Sequence, residues 1–377
     1  MNFIIYIIPF IAALILFIFF KKKVVWWEYI VLIIPSILFT VLVRLIMVSY
    51  NTSDVEYLGS YVTKITYYED WDEMVRVRHE RRVPCGRDSN GNTRYRTEVY
   101  YTWERRYHPE KWTYLSNESD FEKGIDKELY DKIKSRLSSP AVFKDMHRNY
   151  HRIDGDAYVT IYDGTVNHIY DIATAHNYTN KIQASQSNTI FKMIELSDED
   201  ADSLKLHKYP KINDLNQPII LGREVSDEDK QMFKYINATK GKKNQFRTYV
   251  LFFNYDEFDK SELQKSYWQN GNKNEFVVCL GMKGDSVAWT NSFSWCDIPK
   301  LEVKTKQYFI DNPKLNLKNY GLWLMKNIDE NWTRKEFNDF NYISIELSNT
   351  QYIILYILTL LINIAISVLI IKNNIDN

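Results

Sequence analysis

Apolar residues gather at the two ends of this chain. Asn2 to Phe20 is nineteen residues without a charge, reading Phe-Ile-Ile-Tyr-Ile-Ile-Pro from Phe3, which is long enough to span a bilayer core. A second run, Trp26 to Tyr50, is interrupted only by Glu28, Pro35 and Arg44, the last within reach of an interface by snorkelling. The third, Tyr352 to Ile371, carries only Asn363 as a strongly polar residue, which is expected to hydrogen-bond across helices.

Between these runs the period shortens. Tyr61 to Tyr68 alternates apolar and polar residues, and Val75 to Val83 and Tyr95 to Tyr107 flank the turn cluster Arg87-Asp-Ser-Asn-Gly-Asn, predicting a long hairpin. A two-residue Asn90-Gly91 turn would put Val75, Val77 and Val83 on the face opposite Val99, Tyr101 and Trp103. An odd or bulged loop is therefore expected. Helix is predicted from about Asp120 to Leu137 and again after Ser139-Pro140, then strands at Ala157 to Tyr162 and His168 to Ala175.

From about Pro218 the pattern becomes helix and strand in alternation. Ser226-Asp-Glu-Asp opens a helix, Arg247 to Tyr255 is a buried-type strand, Asp259 to Trp268 is helical, and Glu275 to Met282 is again a strand. Val287 to Trp295, a helix around Leu317 to Asn327, and Tyr342 to Leu347 complete a small α/β layer. Ser-Asp-Glu-Asp recurs at Ser197, which reads as a second helix cap and not as a repeat.

Composition sharpens this division. The 377 residues balance 48 Lys+Arg against 48 Asp+Glu, and a mean hydropathy of -0.39 averages over apolar ends and a polar middle. Disordered, collagenous and disulfide-scaffold classes are excluded. Lys21, Lys22 and Lys23 lie in the short link between the first two runs, so the positive-inside rule places that link in the cytoplasm. A cleaved signal peptide would carry its basic cluster before the apolar run. Counting crossings then puts residues 51–350 outside and the tail from Lys372 inside; Arg44 opposes this only weakly. That central part has 43 basic against 46 acidic residues, which disfavours a general polyanion binder, and no nucleic-acid partner is expected outside the cell.

No Walker A, GxGxxG, GxSxG, HExxH or CxxC sequence occurs. Three cysteines, Cys85, Cys279 and Cys296, form no disulfide framework, because a hairpin turn at Lys283-Gly-Asp-Ser sets Cys279 opposite about position 290, roughly 20 Å from Cys296. Five glycosylation sequons, at Asn51, Asn117, Asn177, Asn237 and Asn331, are close to what an asparagine-rich chain carries by chance.

Two clusters carry candidate chemistry. His147 and His151 are spaced i, i+4 on the expected helix after Pro140, and Asp154 or Asp156 could add a carboxylate ligand for a divalent metal. The bland alternative is satisfied structural histidines, for which no cofactor is needed. Asp88, Asn90 and Asn92 mimic the start of a calcium loop, but Thr93 replaces its glycine and Val99 its glutamate, leaving a plain turn. The second cluster is larger: nine of sixteen arginines lie between Arg76 and Arg106, against four carboxylates. Arg76, Arg78, Arg81, Arg82, Arg94, Arg96, Arg105 and Arg106, with Trp103, suit phosphates, carboxylates or headgroups, or else an ordinary solvated face.

The run His176-Asn-Tyr-Thr-Asn-Lys-Ile-Gln-Ala-Ser and the run Tyr267-Trp-Gln-Asn-Gly-Asn-Lys-Asn-Glu-Phe-Val-Val-Cys-Leu-Gly resemble membrane-anchored proteins of tailed bacteriophages and bacteria, over most of residues 55–350. The resemblance implies a membrane-tethered polar domain and supplies no catalytic residues. Arg247 to Met282, with Trp268-x-x-Gly271 before its second strand, is similar to the TPM domain of membrane-tethered extracytoplasmic proteins.

The expectation is an α+β membrane protein with two N-terminal helices spanning the membrane (1–50), a β-hairpin-rich subdomain (51–200), a small α/β subdomain (201–350) and a C-terminal spanning helix with a cytoplasmic tail (351–377). Its expected role is non-catalytic binding or assembly, with membrane lipid and an envelope or virion protein as partners. A membrane-tethered, metal-dependent, phosphatase-like hydrolase is the alternative.

Overall fold

The computed structural model describes the chain except for residues 1–3, 22, 88, 147–154, 186–192, 213–217 and 374–377. It mixes helix and strand and divides into two compact units, one of Met1–Glu56, His176–Leu196 and Lys335–Asn377, the other of Tyr57–Ala175 and Ser197–Arg334.

In the first unit, the helices Trp26–Thr52 and Asn349–Asn373 are each long and apolar enough to cross a membrane. A third apolar helical stretch, Ile4–Phe20, is shorter. Near one end the three are joined through Ile5, Met47 and Leu355, and near the other through Leu16, Leu32 and Ile370. Many of their other apolar side chains, including Leu38, Leu42, Ile46, Leu361 and Leu369, are exposed. Thr40 donates to the carbonyl of Ser36, and the hydroxyls of Thr40 and Thr359 lie 3.0 Å apart, joining the two long helices. Asn363, expected to make such a bond, instead donates 2.7 Å to the Thr359 carbonyl in its own helix, while its buried side-chain oxygen has no partner among the described residues.

A six-stranded sheet, most of it in the second unit, has the order Lys123–Ile125, Lys111–Ser116, Ser53–Tyr68, Ala157–Ile161, Val142–Lys144, and Asp171–Thr179 also pairs with the Ser53–Tyr68 strand. The helix Lys127–Leu137 buries Tyr130, Ile133 and Leu137 against Val62, Ile65 and Tyr114 of this sheet. Its start is fixed by Asp126, whose carboxylate accepts from the Leu129 amide at 2.8 Å. The expected earlier start near Asp120 is therefore wrong; Lys123–Ile125 is a strand. Among the described residues that follow Pro140, up to Met146, the expected helix is not found either. Val142–Lys144 is an edge strand, because extended backbone after the proline lets Phe143 pair with Tyr158.

The second sheet runs Ser286–Phe293, Glu275–Lys283, Arg247–Asn254, Ile220–Leu221, parallel except for the antiparallel Ser286–Phe293 edge. Its two central strands are buried on both faces. Phe233, Ile236, Leu301, Leu324 and Ile328 cover one side, and Trp268 with Tyr209 the other, which explains their unbroken apolar sequences. Ser197 and Ser226 both cap helices, as expected, accepting from the amides of Asp200 and Asp229. The helix Pro299–Asp311 had no sequence expectation, and Tyr342 to Leu347, expected in this layer, has no regular structure. Its Leu347 packs instead against Ile5 and Leu355.

Gly59 and Gly241 let a strand of the first sheet touch the helix Asp227–Asn244 backbone to backbone. A Cβ on Gly59 would lie 2.1 Å from the Asn237 carbonyl oxygen, and one on Gly241 would lie 2.0 Å from the Gly59 oxygen. The Asn237 sequon is consumed by this packing, its amide buried and donating to the Thr248 carbonyl.

Candidate functional site

Trp71–Arg87 and Thr93–His108 form a two-stranded sheet that pairs with no other strand among the described residues. At about 3.3 Å per residue the arm is roughly 50 Å long. A lone hairpin is marginal in water, so its cross-strand side chains and its base must hold it. At the base Trp71 stacks on His108 with ring centres 4.1 Å apart and packs against Gly155. Further out, His79 stacks on Tyr100 at 5.1 Å, and Arg81 meets Glu98 at 2.8 Å.

The register corrects the expected face. The loop has odd length, with Arg87 opposite Thr93, but a one-residue shift between Pro84 and Gly86 restores the original parity. Val75 thus faces Glu104 and Val77 faces Thr102, whereas Arg76 faces Trp103 and Arg78 faces Tyr101. Odd loop and bulge both occur, and they cancel.

The consequence is an arm with two unlike faces. One carries Arg76, Arg78, Arg82 and Arg105 with Tyr101 and Trp103, joined by Met74, Tyr95 and Tyr107. Trp103 is 65% exposed and Tyr101 49%, so this aromatic surface is open to a partner. The Arg76 guanidinium lies 3.9 Å over the Tyr101 ring, Arg78 pairs with Glu80 at 2.6 Å, and Arg105 pairs with Asp72. Arg82 has no carboxylate partner among the described residues. The other face carries Arg81, Arg94, Arg96 and Arg106, and there Glu73, Glu98 and Glu104 offset most of the charge. Of the nine residues singled out from sequence, the register therefore gathers five on one face and sets four on the other.

Of the metal candidates, His147, His151 and Asp154 lie outside the described residues. Asp156 accepts from the Met146 amide at 3.0 Å. Among the described residues no group of three or more His, Cys, Asp or Glu side chains could hold a metal. His168 ends a 3-10 turn, before the strand that starts at Asp171, and its Nδ1 lies 2.5 Å from Asp163. The Thr165 amide and then the His168 contact hold the Asp163 carboxyl below its usual range. Thr93 and Val99, which stand where a calcium loop needs glycine and glutamate, both belong to the second strand of the arm, and Asp88 lies outside the described residues. All three cysteines are free, with Cys279 opposite Asn291, and only Cys85 is exposed.

Two features escaped the sequence. A cleft of about 460 Å³ on the six-stranded sheet is lined by Tyr67, Trp112 and Tyr158, consecutive across three strands, with Glu69 and Glu110 at its rim. Burial, then the Tyr67 bond to Glu110, pushes the Tyr67 phenol up to about 12. In the α/β layer, Arg247 donates to the Tyr249 hydroxyl at 2.7 Å beside Glu275, all three fully buried, with half-buried Tyr209 bonded to Glu275. Burial raises the Glu275 carboxyl. The aromatic residues of the first set and Arg247, Tyr249 and Glu275 of the second lie on neighbouring strands, and strand register is the signal that could have found them. Comparison with protein-family models, with curated proteins and with solved structures finds no match to this chain.

Proposed function

We propose that this is a membrane-anchored extracytoplasmic binding or assembly protein, without catalytic activity, whose hairpin arm grips an acidic protein surface in a bacterial envelope or a phage virion. The observation that carries the reading is the asymmetry of the arm: exposed aromatics and arginines share one face of a ribbon that pairs with no other strand among the described residues. Guanidinium groups give bidentate contacts to carboxylates, and tyrosine and tryptophan give rigid apolar area. In this reading Ile4–Phe20 spans the membrane with the two longer helices, residues 51–350 face outward, and the Lys21–Lys23 link and the C-terminus are cytoplasmic. The uncovered apolar side chains on all three helices support it. The strand, helix and strand over Arg247 to Lys283, with Trp268 buried before Gly271 at φ +76°, support the likeness to TPM domains.

A photo-crosslinking amino acid in place of Tyr101 or Tyr100 tests this in intact cells. The Tyr101 position should give a discrete crosslinked species that disappears when Arg76, Arg78 and Arg82 are changed to Glu; the Tyr100 position should give little. Equal crosslinking from both faces, indifferent to the arginines, would contradict the proposal.

A further inference from the structure

A second cationic feature lies in the unit of apolar helices. A groove of about 470 Å³ is lined by Val41, Arg44, Leu45 and Val48 of the Trp26–Thr52 helix, by Tyr6 and Lys181, and by the segment from Asn341 to Ile345. Its wall contains two cations and no carboxylate. Arg44 has no acidic partner among the described residues, although it stands in a largely apolar helix about 12 Å from that helix's end. An arginine at such depth is costly unless something anionic or aqueous meets it.

Lys181 is built into place. Its Nζ donates to the Asn341 carbonyl at 2.9 Å. The preceding Asn180 gives its amide N–H to the Thr52 carbonyl at 2.7 Å, and its side chain donates to Asp54 at 2.8 Å. Asp54 also accepts from the Tyr178 hydroxyl at 2.6 Å. These bonds tie the lysine to the end of the helix that carries Arg44. A ligand that fits has a phosphate for the two cations and an apolar tail for Val41, Leu45 and Val48.

We infer that this groove binds an anionic phospholipid, the phosphate held by Arg44 and Lys181 and the first acyl methylenes lying along the apolar wall. The inference rests on the reading that Trp26–Thr52 crosses the bilayer, and its test separates the two. The full chain in detergent is titrated with phosphatidylglycerol, phosphatidylcholine, inorganic phosphate or soluble glycerophosphoglycerol, and bound molecules are counted by native mass spectrometry. Phosphatidylglycerol should bind best, and Arg44→Gln with Lys181→Gln should weaken it about tenfold or more, whereas Arg44→Lys should retain part of the affinity. Unchanged affinity in the double variant would overturn the lipid site, as would displacement of the lipid by inorganic phosphate, which would make free phosphate the ligand. Thermal melting checks that the variants fold. In parallel, wild type and double variant should both float with phosphatidylcholine vesicles; failure of the wild type to float would overturn the spanning reading and this site with it.

Discussion

The Arg76 guanidinium lies 3.9 Å above the ring centre of Tyr101, on the face of the arm where Arg78 is directly opposite that tyrosine. The stack is diagonal across two strands and remains solvent-exposed, so it contributes only about 0.5 kcal/mol to folding. Arg76→Ala should therefore leave the melting temperature of the full chain within a degree or two of wild type while weakening partner capture. A large loss of stability would show that the arm's arginines serve packing and not recognition.

The close approach of Gly59 to Gly241 has the opposite character. Neither a strand backbone nor a helix backbone can yield the space that a Cβ needs there, so Gly59→Ala or Gly241→Ala should destabilise by about 3 kcal/mol. Denaturant unfolding followed by tryptophan fluorescence measures it. A change below about 0.5 kcal/mol would mean that the two elements separate readily.

His207 gives a pH signature. Burial holds its imidazole below the ordinary range, even though its Nε2 donates to the Phe252 carbonyl at 2.9 Å, with Glu257 and Lys260 as nearby charges. The folded protein thus keeps the ring neutral where the unfolded chain would protonate it. Its contribution is fully present above about pH 6.5 and is lost as pH falls through the lowered folded value. Stability should drop as pH falls below about 6.5, and His207→Gln should flatten that drop. An unchanged slope in the variant would assign the effect to other groups.

Across the two long helices, Thr40→Val should remove a bond of about 0.6 kcal/mol and lower the melting temperature in detergent slightly, and Thr359→Val should do the same. If the effects of the two substitutions simply add, the hydroxyls are not coupled.

Much of the architecture is legible in the chain, for reasons that particular residues make plain. Arg247–Asn254 and Glu275–Lys283 read as strands because burial on both faces leaves continuous apolar runs, and Ser197 and Ser226 announce helices because their hydroxyls must satisfy the first free amides. The composition of the arm was equally visible, but its faces were not. Which side Arg76 shares with Trp103 depends on a single bulged residue at Cys85, and one residue of slip exchanges every side chain between faces. Thr40 was missed because a threonine in an apolar helix ordinarily bonds its own preceding turn, which it also does here. Val142 to Lys144 misled because Ser139-Pro140 is a good helix start locally, while the pairing that overrides it comes from Ala157 to Val159, far along the chain.

The central claim is that the arm stands outside the cell, open to a partner, and Cys85 reports on it directly. It is the one exposed cysteine, at the bulge near the arm's tip, while Cys279 and Cys296 are buried. In intact cells, with Cys279 and Cys296 replaced by Ala and a lysed control, a membrane-impermeant thiol reagent should label Cys85 as fully as it does after lysis. Labelling only after lysis would place the arm in the cytoplasm and contradict the account.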